Sequence, residues 1–183
     1  MQTLYFLLDT LFNFSLMVVI LRIWLQWVRA DFYNPLSQFT VKATQPILAP
    51  LRRMIPSIGG LDLAAVVLAL VVALLKYASL KLLGMIQADW LGLLMVSGLL
   101  VLKQAGSLLF WMLVARALLS WVSQGRSPID YVLTQLTEPL LAPIRRIIPA
   151  MGGLDFSVLV LFIGLQALNY LLSDLFGPLW SML

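Results

Sequence analysis

Four long apolar stretches dominate the pattern of hydrophobic and polar positions along the chain. They cover residues 3–28, 61–83, 90–122 and 154–176 and are rich in Leu, Val, Ile and Phe. Each is long enough to cross a bilayer, which takes about 20 residues of helix. The third holds 33 residues, and a straight helix of that length exceeds a hydrocarbon core of about 30 Å. The pattern predicts an all-α membrane protein with four transmembrane helices.

An internal repeat organises these spans. Residues 44–62 read TQPILAPLRRMIPSIGGLD and residues 137–155 read TEPLLAPIRRIIPAMGGLD, with 13 of 19 positions identical. A repeat of this kind indicates one structural unit used twice. We interpret the chain as two span–motif–span repeats, 1–84 and 97–183. A periplasmic or interfacial connection, 85–96, joins them.

The register of the repeat places the third span. Trp27 and Pro35 are separated by one residue more than their counterparts Trp121 and Pro128. Aligning the first spans on their Trp residues therefore maps the third span onto residues 97–122. The seven residues before it, which begin with Trp90, are then expected at the membrane interface, where Trp is enriched.

The distribution of basic residues predicts the orientation. The N-terminal tip, the connection 84–96 and the tail after residue 176 hold no Lys or Arg. The two motif-bearing segments, 29–60 and 123–153, hold seven: Arg29, Lys42, Arg52, Arg53, Arg126, Arg145 and Arg146. Basic loops stay in the cytoplasm. Both motifs are thus expected in the cytoplasm and both termini outside, with the repeats parallel about an axis along the membrane normal.

A short amphipathic helix is predicted at the start of each motif. Asn34–Pro35 and Ser127–Pro128 provide an N-cap followed by Pro at the first helical position. Apolar residues then recur with helical spacing at Ile129, Val132, Leu133 and Leu136, matched by Leu36, Phe39, Thr40 and Ala43. This spacing predicts a helix that lies on the membrane surface.

Prolines and glycines divide the rest of each motif. The first Pro is expected to end the surface helix, the second to begin a helix of one to two turns that carries the Arg pair, and the third to end that helix. A Gly pair then turns the chain, and an Asp caps the next span. The whole cytoplasmic docking motif is Pro46, Pro50, Arg52, Arg53, Pro56, Gly59, Gly60 and Asp62, with Pro139, Pro143, Arg145, Arg146, Pro149, Gly152, Gly153 and Asp155.

These motifs resemble those of a known family. The paired PxxxPxRRxxPxxGGxD pattern, preceded by RIWLQW, DFYNP and SWVSQGRSP, is similar over essentially the whole chain to the YggT family of bacterial inner-membrane proteins. The resemblance implies a multi-pass protein of that membrane. Relatives in cyanobacteria, plastids and Gram-positive bacteria are linked to haem-attachment assembly of a cytochrome, to nucleoid partition or to division. In proteobacteria the link is to osmotic and ion tolerance. The resemblance supplies no catalytic residues.

The four motif arginines, Arg52, Arg53, Arg145 and Arg146, have two interpretations. They set topology and contact anionic lipid headgroups, or the pseudo-twofold axis gathers them into a specific site for a phosphate-bearing lipid or an acidic protein. Two roles are likewise open for Asp62 and Asp155. Each caps the next span, or each forms an Asp–Arg clamp that fixes the surface segment.

Charges inside the spans are costly and point to function. Asp9 and Lys103 are equivalent in the repeat, as are Lys81 and Asp174, and all four are expected near the outer interface. They either extend separately to the headgroups or form outer-side ion pairs, Asp9 with Lys81 or Lys103 and Asp174 with the other Lys. Lys76 lies deeper, and Asn169 is its counterpart. With Asn13 and Gln104 these two form the only polar set able to line a path.

Composition narrows the function. The chain is 62% apolar and 11% charged, without Cys or His, so thiolate chemistry, imidazole bases and most metal sites are excluded. We expect no catalytic residue, cofactor or metal. The leading hypothesis is a non-enzymatic scaffold, assembly or osmotic-tolerance factor, with anionic membrane lipids and a protein partner or homo-oligomer as partners and no nucleic acid. The alternatives are a small oligomeric ion channel or transporter and a lipid-modifying enzyme. The enzyme ranks last, because Ser120 and Ser123 have no His partner.

Overall fold

The regular secondary structure in the part of the chain that the structure describes is entirely helical. This structure is a computed structural model, and it describes residues 2–31, 33–122, 127–148 and 155–183. The helices are α1 Gln2–Trp27, α2 Pro35–Met54, α3 Leu63–Leu82, α4 Trp90–Val122, α5 Pro128–Ile147, α6 Phe156–Phe176 and α7 Pro178–Ser181. These ranges contain no β-strand, so the all-α prediction is confirmed.

Four of the helices are long and apolar enough to cross a membrane. They are Gln2–Trp27, Leu63–Leu82, Trp90–Leu119 and Phe156–Phe176, and they fall on the four predicted spans. The third is continuous from its first residue, whereas the repeat register begins that span at residue 97. Asp89 starts it early, because its Oδ1 accepts the N–H of Gly92 at 3.2 Å as an N-cap does. Four such helices are typical of a multi-pass membrane protein.

The chain divides into two compact units, residues 1–105 and residues 106–182. In unit 1, α1 packs against α3, and α2 contacts both. The buried stripe of α3 includes alanines at every fourth position, Ala65, Ala69 and Ala73. Such small side chains let two helices approach closely, which drives packing in a membrane. Leu16 and Leu25 are the fully buried leucines of α1.

Helix α2 is one continuous helix, so the predicted division at its prolines is wrong. Pro46 and Pro50 lie inside it, as Pro139 and Pro143 lie inside α5. All four prolines are exposed, while Leu48 on the opposite face of α2 is fully buried. The carbonyls that lose a backbone donor therefore face outward, where water or headgroups can satisfy them, and the packed face stays intact.

The local signals at the helix ends are confirmed wherever the structure describes them. Asn34 accepts the N–H of Ser37 at 2.8 Å, and Ser127 accepts that of Ile129 at 3.2 Å. Gly59 and Gly60 have φ of 62° and 85°, which few side chains tolerate. Pro149, Gly152 and Gly153 lie outside the described residues.

Unit 2 packs α5 against α6 and adds a short helix that the hydrophobic pattern did not predict. On α5 the buried residues include Val132, Leu133 and Leu136, three members of the predicted apolar face. Helix α7 follows α6, and its buried Trp180 donates from Nε1 to Oδ1 of Asn169 at 2.9 Å. Asn169, the counterpart of Lys76 in the repeat, is therefore hydrogen-bonded to the indole of Trp180.

Candidate functional site

An ion pair between motif arginine and motif aspartate holds the end of α2 to the start of α3. Arg52 donates from Nε at 2.9 Å and from Nη2 at 2.5 Å to Oδ2 of Asp62. The other oxygen, Oδ1, accepts the N–H of Ala65 at 3.3 Å and so caps α3. The Asp62 side chain is 0% exposed. One carboxylate therefore performs both of the roles considered for it, capping and clamping.

The same arrangement occurs in unit 2. Arg145 donates from Nε at 3.0 Å and from Nη2 at 2.6 Å to Oδ2 of Asp155. Oδ1 of Asp155 accepts the N–H of Ser157 at 3.1 Å and caps α6. We call Arg52–Asp62 and Arg145–Asp155 the two Arg–Asp clamps. We call α2 and α5 the motif helices. Each clamp ties the C-terminal end of a motif helix to the apolar helix that follows it, α3 or α6.

The second partner of the arginine differs between the clamps. Arg52 donates from Nη2 to Oε1 of Gln26 on α1 at 2.9 Å. Arg145 instead donates from Nη1 to both oxygens of Glu138, at 2.8 and 2.9 Å, and Arg116 of α4 approaches the same carboxylate at 3.6 Å. The repeat contained a signal for this difference, since Gln45 stands where the second copy has Glu138.

Electrostatics keep the second clamp charged at neutral pH. The hydrogen bond to Asp155 raises the pKa of Arg145. Burial raises the pKa of Asp155, but hydrogen bonds from Arg145 and Ser157 outweigh it, so this pKa lies below its ordinary value. A depressed carboxyl pKa contributes stability that is full above the unfolded pKa and is lost as pH falls through the folded one. The clamp therefore weakens only in acid.

The second arginine of each pair is placed differently. Arg53 and Arg146 are exposed, and neither has an ion-pair partner within the described ranges. Each is followed by an exposed apolar side chain: Met54 is 82% exposed and Ile147 is 81% exposed. The four motif arginines therefore do not share one environment, because α2 and α5 present their first arginine to a carboxylate and their second to the surroundings.

Lys76 is buried in unit 1 and has ionic and polar partners on α1. Its Nζ lies 2.7 Å from Oδ1 of Asp9 and donates to Oδ1 of Asn13 at 2.9 Å. Asn13 in turn donates to Oδ2 of Asp9 at 2.9 Å. The Lys76 side chain is 5% exposed and that of Asp9 is 31% exposed. We call Asp9, Asn13 and Lys76 the polar triad. Asn13 precedes Gln26 by 13 residues on α1, so the triad lies about 20 Å along the helix from the Arg52–Asp62 clamp.

The partner predicted for Asp9 is therefore wrong. Its carboxylate meets Lys76 rather than Lys81 or Lys103, because α1 and α3 pack in a register that brings Asp9 and Asn13 level with Lys76. Lys81 donates instead to the carbonyl of Ala88 at 2.5 Å and lies 4.6 Å from the centre of the Trp90 ring. The pairing of Asp174 stays a prediction.

No metal site is evident in the described ranges, which contain no group of three or more His, Cys, Asp or Glu suited to hold an ion. The polar chemistry there consists mainly of guanidinium, ammonium, carboxylate and amide groups.

A model of the CCB3/YggT family matches residues 1–83 and 95–176. The chain belongs to the CCB3/YggT family. A protein in the proC 3' region of Vibrio alginolyticus is 60% identical over 100% of both chains. YggT of Escherichia coli K12 is 48% identical over 100% of this chain and 96% of its own. PA0392 of Pseudomonas aeruginosa is 41% identical over 97% and 91%. None of these names states an activity, and no solved structure matches the chain.

Proposed function

We propose that this family member is a non-enzymatic protein of the bacterial inner membrane that works through a cytoplasmic docking surface. It serves as a scaffold or assembly factor, or as a factor in osmotic tolerance. That surface occurs once in each unit: Arg53 with Met54 at the end of α2, and Arg146 with Ile147 at the end of α5. Its partner carries phosphate or carboxylate groups, as an anionic lipid or an acidic protein does.

One observation carries the proposal: in each unit the first arginine is used by a clamp and the second is left exposed beside an apolar side chain. The clamp limits the motion of the helix end, so less entropy is lost when the neighbouring arginine binds. A guanidinium next to a Met or Ile side chain suits a surface that is both anionic and apolar, such as the headgroup region. The exposed Phe39 and Ile47 of α2 support contact with lipid.

Loss of the two exposed arginines should abolish binding. A photo-crosslinking residue at the exposed Ser57 should capture lipid or protein in native membranes from the unsubstituted chain. Arg53→Gln with Arg146→Gln should lose that product, because the exposed guanidinium group of each unit's docking surface is gone. Lys42→Gln is the matched control, since it removes an exposed cation from the same helix and should keep the product. Unchanged crosslinks in the double variant would contradict the proposal.

The orientation follows from seven basic residues in the motif segments against none in the other loops. We infer parallel repeats with both motifs in the cytoplasm and both termini outside. A reporter that is active only outside the cytoplasm should therefore be active when fused after Leu183. A reporter that works only in the cytoplasm should be silent when fused after Leu183. Activity of that second reporter would contradict the inferred orientation.

A second candidate is a small oligomeric ion channel or transporter. The polar triad favours it, because a Lys buried among apolar helices is costly and commonly marks an ion pathway. Proteoliposomes that contain only this protein distinguish the two functions: a scaffold gives no ion flux above that of empty vesicles, whereas a channel gives a flux that Lys76→Met changes.

A further inference from the structure

Helix α1 ends in a turn that normally requires glycine. Ala30 donates its N–H to the carbonyl of Leu25 at 2.9 Å, and Arg29 donates to that of Gln26 at 3.1 Å. These two bonds define a Schellman motif, in which the residue in left-handed conformation is usually Gly. Here it is Arg29, with φ of 53°, the one non-glycine residue in the described ranges with positive φ. Gly would adopt this conformation at lower cost.

The strained turn borders an open cleft at the end of α1. The cleft has a volume of about 570 Å³ and is lined by Gln26, Arg29, Ala30, Asp31, Tyr33 and Gly60. It lies where the first repeat has one residue more than the second, between Trp27 and Pro35. Unfavourable backbone conformations that persist are concentrated at binding and catalytic sites. The extra residue and the strain thus coincide with a concave surface.

The polar groups of the cleft include both signs of charge. The Arg29 side chain is exposed and forms no ion pair with a described residue. Gln26 already accepts from Arg52 through Oε1, so its amide nitrogen remains as a donor. Asp31 also lines the cleft, and its Oδ1 accepts the N–H of Tyr33 at 2.9 Å. A ligand that fits this cleft carries an anion for Arg29 and a cation near Asp31.

The position of the cleft along the helix indicates the source of such a ligand. It begins at the last turn of a span, next to the exposed Trp27. Trp at the end of a transmembrane helix lies at the level of the lipid headgroups. The phosphate of a phospholipid is at that depth, and in a zwitterionic headgroup an ammonium lies a few bonds away.

We propose that this cleft binds the headgroup of a zwitterionic phospholipid of the phosphoethanolamine class, with its phosphate on Arg29 and its ammonium towards Asp31. The site is separate from the docking surface, because neither Arg53 nor Arg146 lines it. If this cleft binds no headgroup, the proposed docking function is unaffected. If docking fails, the proposal for this cleft is unaffected.

The test is a thermal unfolding titration of the full chain, purified in a neutral detergent. Dioleoyl phosphatidylethanolamine, dioleoyl phosphatidylglycerol and inorganic phosphate are added separately. For the unsubstituted chain we expect a saturable rise in Tm with phosphatidylethanolamine, a smaller one with phosphatidylglycerol and none with phosphate. Arg29→Gly should start about 2–4 °C higher, because the strain is relieved. Its apparent affinity for phosphatidylethanolamine should fall about tenfold or more, because a charge-assisted contact is lost.

A higher starting Tm together with weaker lipid binding in Arg29→Gly would separate a binding role of Arg29 from a structural one. Asp31→Asn retains an oxygen for the N–H of Tyr33 and should remove the preference for phosphatidylethanolamine over phosphatidylglycerol. Arg53→Gln should change neither response. An Arg29→Gly variant that binds as tightly as the unsubstituted chain, or that starts at a lower Tm, would overturn the proposal. An equal response to inorganic phosphate would overturn the lipid source, and an unchanged preference in Asp31→Asn would overturn the role of Asp31.

Discussion

Replacing Asp62 with Ala should cost about 3 kcal/mol of folding stability, the largest effect of any single substitution in the motif. The change removes the N-cap of α3 and leaves Arg52 without its carboxylate. Because the Asp62 side chain is 0% exposed, water cannot replace either contact fully. The free energy of unfolding, followed in mixed micelles of increasing SDS content, measures the loss. Faster cleavage by trypsin at the Arg52–Arg53 bond should accompany it, since the motif helix is no longer held.

Three further variants separate capping from clamping. Asp62→Asn keeps a good N-cap residue but removes the charge, so its loss should be intermediate. Asp155→Ala should cost less than Asp62→Ala, because the Asp155 side chain is 35% exposed and solvent screens its ion pair. Arg53→Gln is the matched control and should change stability by less than about 0.5 kcal/mol. Equal losses for Asp62→Asn and the control would mean that the clamp contributes nothing.

Replacing Asp9 with Asn should cost about 3 kcal/mol, and more than replacing its partner Lys76 with Met. The two variants differ in which charge remains without its partner. Asp9→Asn leaves the ammonium of Lys76 at a site that is 5% exposed, whereas Lys76→Met leaves the carboxylate of Asp9 at a site that is 31% exposed. A buried charge without a partner is the costlier remnant. Unfolding in SDS micelles of both variants gives the order directly.

The double variant Asp9→Asn with Lys76→Met tests whether the two charges act as a pair. It should be more stable than Asp9→Asn alone, because both charges of the buried pair are then absent. Lys81→Met is the control, since Lys81 contacts a backbone carbonyl and a ring but no described carboxylate. Additive losses in the double variant would show that Asp9 and Lys76 do not depend on one another.

The helix ends were predictable because their interactions are local. Asn34 and Asp62 bind an N–H three residues further on, so residue type and spacing suffice to recognise them. The proline interpretation failed for the opposite reason. Whether Pro46 ends a helix depends on what its face meets, and that face proved to be exposed. A proline on an outward face loses a hydrogen bond that solvent or headgroups can replace.

Pairing across helices depends on register, and the sequence did not contain it in readable form. The two repeats made Asp9 and Lys103 equivalent, which suggested a pair between equivalent ends. The actual partner, Lys76, follows from the level at which α1 and α3 pack against each other. Gln26 lies in the RIWLQW motif, but nothing in that motif indicated its contact with Arg52. Arg29 was recognisable as a site residue only by its positive φ.

The sequence by itself determined the four apolar helices, the caps and the Gly turn, because hydrophobic periodicity and contacts within four residues are properties of the chain alone. It also determined which residues could matter, through the repeated motif. Only the tertiary structure decided how they are used. It assigned Arg52 and Arg145 to clamps, left Arg53 and Arg146 exposed and joined Lys76 to Asp9, because these outcomes depend on the rotation and axial position of packed helices, to which many distant side chains contribute at once.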